Sequence, residues 1–112
     1  MKEIKEHVLH IIDQLENGYI YSESCEYSEY KKGDMMSGLD YISDVLDVEW
    51  VLNADKTIKG ARLLVAFGGP NIYIDTVKQV VEGYWWSDSY KESYTADCMG
   101  VNDAVIEWFE CT

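Results

Sequence analysis

Apolar residues recur with two different periods along the chain. Near the start, Ile4, Val8, Ile11, Ile12 and Leu15 fall three or four residues apart, the period of one helix face. Lys2, Glu3, Glu6 and Asp13 take the other positions. Asn17-Gly18 supplies the stop, because glycine accepts the left-handed backbone on which helices end. Residues 19–32 fit neither period cleanly. Tyr19 and Tyr21 alternate, whereas Glu23, Glu26 and Glu29 recur every third residue, as do Tyr27 and Tyr30. A loop leading into a helical turn is predicted there.

A second helix is predicted after Gly33-Asp34, with Asp34 as its N-cap. Met35, Leu39, Ile42 and Leu46 would form its buried stripe, weakened by Gly38, with Asp40, Asp44 and Asp47 along its other side. Beyond it the period shortens to two. Val48, Trp50 and Leu52 alternate with Glu49, Val51 and Asn53, the pattern of a strand with two unlike faces. A turn over Ala54–Lys59 leads into Ala61–Phe67, and Gly68-Gly69-Pro70-Asn71 reverses the chain. Asn71–Asp75 and Val80–Trp86 read as two further strands around the turn Thr76–Gln79. A loop, Ser87–Met99, leads to a last helix whose buried face carries Val101, Ala104, Val105 and Trp108.

Short connections between successive strands imply antiparallel pairing. The predicted fold class is α+β: a four-stranded antiparallel meander with its helices packed on one face, in the order α-α-β-β-β-β-α. No linker, repeat or low-complexity segment divides the 112 residues, so residues 1–112 are read as one domain.

Composition changes this picture little. Hydrophobic residues make up 47 % of the chain and aromatics 13 %, with one proline, enough apolar mass for a core and unlike a disordered segment. Apolar runs such as Leu63–Phe67 are far below the roughly 20 residues that span a bilayer. The opening MKEIKEHVLH lacks the features of a secretory leader. Cys25, Cys98 and Cys111 are odd in number and widely spaced, which indicates reduced thiols and no disulfide framework. A cytoplasmic protein without membrane association is expected.

Charge is the unusual quantity. The chain carries 21 acids against 9 bases, a net −12, with 13 acids and 6 bases up to residue 59 and 8 and 3 beyond it. A field of this sign repels nucleic acid and acidic membranes and attracts basic surfaces. Direct nucleic-acid binding is therefore not expected, despite the aromatic residues on which bases could stack.

Candidate chemistry is sparse. His7 and His10 lie three apart on the first helix and read as partly exposed histidines; neither a metal site nor a cofactor is expected. Gly68-Gly69-Pro70-Asn71 precedes a strand and lacks the lysine and the following helix of a phosphate loop, so it reads as a tight connection. Asp75 and Glu82 would lie near each other across the hairpin, but acid–base work requires one of them to be buried with a raised pKa. Alternation places Ile72, Ile74, Val81, Gly83 and Trp85 on one side of the last two strands and Tyr73, Asp75, Val80, Glu82, Tyr84 and Trp86 on the other. The first set is the predicted core. The second is an aromatic, acidic face for a partner or for a second copy of the chain, or a surface covered by residues 19–32.

The stretch from Asp44, DVLDVEWVLNADKTIKGARLLVAFGGPNIYIDT, followed by VVEGYWW and more loosely by GVNDAVIEWFEC, resembles a family of small proteins carried by phages and conjugative elements of Firmicutes. GGPNI and EGYWW are its most distinctive segments. Gln79 departs from the pattern, since glycine is expected there to ease the hairpin turn. The resemblance implies an accessory protein of a mobile element and assigns no residue a role. Such elements face restriction and CRISPR effectors with basic nucleic-acid channels. A compact acidic protein could occupy one, with Asp40, Asp44 and Asp47 as a negative line on a helix. The leading expectation is thus protein–protein contact, with DNA mimicry against a basic nucleic-acid-binding effector as its specific form. The alternatives are a self-associating or regulatory module using the Tyr73/Tyr84/Trp86 face, and a small-ligand enzyme using Asp75 and Glu82.

Overall fold

The computed structural model describes residues 4–19, 36–43, 45–67 and 69–111. The element order is α1 (Ile4–Asn17), α2 (Gly38–Ile42), β1 (Asp47–Leu52), β2 (Ile58–Ala66), β3 (Asn71–Asp75), β4 (Val80–Trp85), β5 (Asp88–Ser93) and α3 (Val101–Glu110). The strands form one antiparallel sheet in the order β1-β2-β3-β4-β5. The α+β class and the meander follow the sequence pattern, but the sheet has five strands and the element order gains one. The predicted loop Ser87–Met99 contains β5, an edge strand whose side chains are mostly exposed. It carries no apolar alternation, because it has almost nothing to bury.

The core lies between one face of the sheet and the helices. Ala61, Leu63, Ile72, Ile74 and Val81 point into it and meet Ile4, Val8, Ile12 and Leu15 from α1 and Val101, Ala104 and Val105 from α3. α1 packs over β4 and β5, and α3 packs over β2 and against α2. Gly83 allows α1 to lie close, since a Cβ there would fall 2.6 Å from Val8 Cγ2 and 2.7 Å from Ile4 Cδ1. α1 stops at Asn17, followed by Gly18 with φ 89°.

Polar contacts fasten the connections. The Thr76 hydroxyl is buried where the β2–β3 ladder ends. It accepts from the Ala61 N–H at 2.9 Å and donates to the Ala61 carbonyl at 3.2 Å. Asp97 accepts from the N–H groups of Val101 and Asn102 at 2.8 and 2.9 Å. It thereby caps α3, whose N-cap residue Gly100 has no side chain. Glu16 reaches from α1 to the β5–α3 connection and accepts from the Thr95 N–H at 2.7 Å and the Thr95 hydroxyl at 2.9 Å.

The second helix differs most from its predicted form. It is five residues long, is capped by Ser37, and ends at Ile42. Of the expected stripe, Ile42 is buried, Leu39 and Leu46 are exposed, and Met35 lies outside the described residues, as do Asp34 and almost all of 19–32. The helix is held instead by Gly38, where a Cβ would sit 2.6 Å from the Gly100 carbonyl oxygen and 2.8 Å from that of Met99.

Two predictions follow from these contacts. Alanine is ordinarily favoured over glycine inside a helix by about 1 kcal/mol. At position 38 the backbone clash outweighs this, and Gly38→Ala should lower unfolding free energy by about 1–2 kcal/mol. A denaturant titration checks it, and a stabilised variant would contradict the packing. Glu16 is held below its ordinary pKa of 4.5 by the backbone and side-chain hydrogen bonds from Thr95. The unfolded chain therefore takes up this proton first as pH falls, so the tether contributes fully above the ordinary value and fades below it. Melting temperature should fall less steeply below about pH 4.5 in Glu16→Gln than in the parent; equal slopes would contradict the tether.

Candidate contact face

The helices described lie on one side of the sheet, and the other side carries the residues singled out for contact. Reading across the strands, Glu49, Arg62, Asp75, Val80 and Ser93 occupy one row, and Asp47, Leu64, Tyr73, Glu82 and Lys91 the next. Asn71, Tyr84 and Ser89 follow toward the β4–β5 turn. Strand alternation alone generates this set, since each member neighbours a core residue in sequence.

The centre of the face is organised by Arg62. Its guanidinium lies 3.6 Å from the centroid of the Tyr73 ring and donates to Glu82 at 3.1 Å. The side chain leaves β2, passes over the β3 tyrosine, and ends on a β4 carboxylate. Stacking on the ring and the ion pair at its end act on one planar cation. The pair is sheltered, with side chains 29 % and 13 % exposed for Arg62 and Glu82, and is the one ion pair between described residues. Tyr84 extends the cluster, meeting Tyr73 edge to face at 6.3 Å. Lys91 pairs across from Glu82 on β5 and, with Lys78, Val80 and Glu82, lines a shallow depression of about 330 Å³. The three basic residues beyond position 60 thus all belong to this face or its rim.

Asp75 and Glu82 share the face but are not paired with each other: Asp75 stands across from Val80, and Glu82 from Tyr73. The Asp75 carboxylate accepts from the N–H groups of Val77 and Lys78, both at 3.0 Å, and so fixes the β3–β4 turn. Gln79 closes that turn with φ 55°, the left-handed backbone for which glycine was expected. His7 lies against Trp85 at 5.6 Å, and His10 Nε2 is 3.3 Å from Gln14 Nε2.

Asp40, Asp44 and Asp47 do not form the expected helical line. Asp40 is on α2, Asp44 lies outside the described residues, and Asp47 begins β1, where its carboxylate accepts from the Val48 N–H at 2.9 Å. The helix ends too early to carry all three.

Trp86 is also displaced from its expected place. It belongs to the two-residue turn between Trp85 and Asp88, with φ 58° and 93 % of its surface exposed. Glycine, asparagine or aspartate ordinarily takes a positive φ in such a turn, and a bulky side chain there is a backbone outlier. The start of β1, the β2–β3 connection and the β4–β5 turn lie at the same end of the sheet. They bring Leu46 (61 % exposed), Phe67 (71 %) and Tyr84 (41 %) to that end with Trp86. The sequence pattern places Leu46 in the buried stripe of the second helix and Phe67 at the end of a strand, neither as a contact residue; both stand exposed instead.

Elsewhere, Ile11, Tyr19, Met36, Tyr41, Val45 and Val65 line a cavity of about 230 Å³. Burial first, and then Tyr19, push the Tyr41 phenol up to about 12, and its hydroxyl donates to Gln14 at 2.8 Å. No described helix is long and apolar enough to cross a membrane. Comparison of the chain with protein-family models, curated proteins and solved structures finds no match.

The Arg62–Tyr73–Glu82 bridge gives a direct test of the face. A double-mutant cycle with Arg62→Met and Glu82→Gln should return a coupling of about 1–2 kcal/mol, above that of an ordinary surface pair. Arg62→Lys should lose part of it, because an ammonium cannot lie flat on the ring. Zero coupling would mean that the three strands are not joined in this way.

Proposed function

We propose that this protein is a contact module that docks a protein partner through the open sheet face and its aromatic end. The carrying observation is Trp86, 93 % exposed and held at positive φ on the tip of a tight turn. An exposed tryptophan in that conformation does nothing for the core, and backbone strain of this kind costs about 1–3 kcal/mol. Strain tolerated at an exposed aromatic is characteristic of binding sites, where tryptophan and tyrosine supply most of the energy. Tyr84 stands beside it, and the Arg62–Tyr73–Glu82 bridge stiffens the surface behind it. Stiffness limits the entropy lost on docking.

The local charge supports contact through apolar and aromatic groups over imitation of a phosphate backbone. Lys78, Lys91 and Arg62 stand against Asp47, Glu49, Asp75 and Glu82 on this face and its rim, so little of the −12 of the chain is concentrated here. The resemblance to proteins of phages and conjugative elements supplies a setting, in which the partner is element-encoded or a host effector.

Replacing Trp86 separates contact from folding. Trp86→Gly should raise unfolding free energy by about 1 kcal/mol by relieving the turn, while abolishing capture of the partner. Parallel captures with the parent, Trp86→Gly and Tyr84→Ser at 0.05 and 0.5 M salt test this. Partner retention at high salt and its loss in both variants are expected. Release by salt together with indifference to Trp86 would overturn the proposal in favour of charge mimicry.

A further inference from the structure

The sheet's two edges are finished differently. β5, DSYKES, carries a central lysine and exposed polar side chains, which are ordinary protections against strand addition, and α1 packs against it. β1, DVEWVL, alternates acidic and apolar residues from Asp47 to Trp50, and no described strand lies outside it. Its one irregularity is a register shift at Val51/Leu52, near its end.

The side chains flanking this edge are also unequal. Glu49 stands across from Arg62, the cation placed to neutralise it, but Arg62 is drawn away over Tyr73 to Glu82. Asp47 stands across from Leu64. Two carboxylates at i and i+2 therefore line the open-face side of the edge without a cation from the neighbouring strand. On the helix side, Trp50 is half-buried against the ring edges of Trp108 and Phe109 at 5.2 and 5.3 Å. Beside it, Thr57, Ile58, Ile106, Phe109 and Glu110 line an open groove of about 650 Å³.

We propose that β1 receives an extended segment of a partner protein as a sixth strand, carrying two cations at i and i+2 that alternate with apolar residues. A strand added to β1 would extend the backbone ladder, with its side chains alternating between the two faces. One set falls beside Asp47 and Glu49 and calls for lysine or arginine. The other falls beside Trp50 and the groove and calls for aliphatic groups. A second copy of β1 fits poorly, since antiparallel self-pairing brings Glu49 opposite or diagonal to its own counterpart, and like charges across strands are destabilising. The β1 edge adjoins the open face through Asp47 and Glu49, but it lies across the sheet from the Trp86 turn between β4 and β5, so each can fail without the other.

The probe is a blocked peptide, Thr-Lys-Val-Lys-Val-Thr, followed by amide hydrogen exchange and titration. It should slow exchange in Val48–Leu52 and leave β5 unchanged. N-methylating alternate residues along one peptide edge should abolish binding, and along the other leave it intact. Asp47→Asn with Glu49→Gln should weaken it about tenfold. Asp47→Lys with Glu49→Lys should transfer the preference to the peptide with glutamate for lysine, and Trp86→Gly should have no effect. Three results would overturn the proposal: no protection of β1, equal binding by both N-methylated peptides, or β1 amides already protected in a sedimenting dimer without peptide.

Discussion

The close seat of α1 on β4 and β5 determines how the two faces of this sheet differ. Ile4, Val8, Ile12 and Leu15 complete the core over Val81, and Gly83 leaves room for the Ile4 and Val8 side chains, which any side chain there would crowd. With α1 and α3 on one side, the opposite side is held, among the described residues, by its own side chains. Such a face could be polar throughout. Here it is built from a cation, two aromatic rings and a carboxylate arranged across three strands.

That arrangement links stability to contact. Arg62 lies over the Tyr73 ring and ends on Glu82, which consumes the most basic group of the face and leaves its surface aromatic. The same displacement leaves Glu49 without the cation across from it. One side-chain conformation thus shapes both the central face and the acidic margin along β1. Trp86 stands apart from this network: it contributes exposure and strain at the turn and little to the fold.

Much of the fold was legible because burial imposes a period. The α1 stripe and the alternation of β1 to β4 are direct consequences of facing one core. β5 was not legible: Asp88–Ser93 faces solvent at an edge, and its turn, Trp86-Ser87, lacks the glycine or asparagine that marks hairpins. α2 was overextended because Leu39 and Leu46 have helical spacing yet are exposed, while the residue that seats it, Gly38, looked like a weakness. Of the site residues, Tyr73, Glu82 and Tyr84 were placed correctly by alternation. Arg62 was passed over because its role depends on reaching beyond its adjacent strand, which a period cannot express. The aspartate line failed with the helix that was to carry it.

The claim on which the account rests is that the open face and its aromatic end stand uncovered in the free chain, while the aromatics of the β1–α3 contact are shielded. Hydroxyl-radical footprinting across a range of protein concentrations measures this residue by residue. Trp86, Tyr84 and Phe67 should oxidise rapidly at every concentration, and Trp50 and Trp108 slowly. Protection of Trp86 and Tyr84 in the dilute free chain would contradict the account, because the surface assigned to a partner would already be covered.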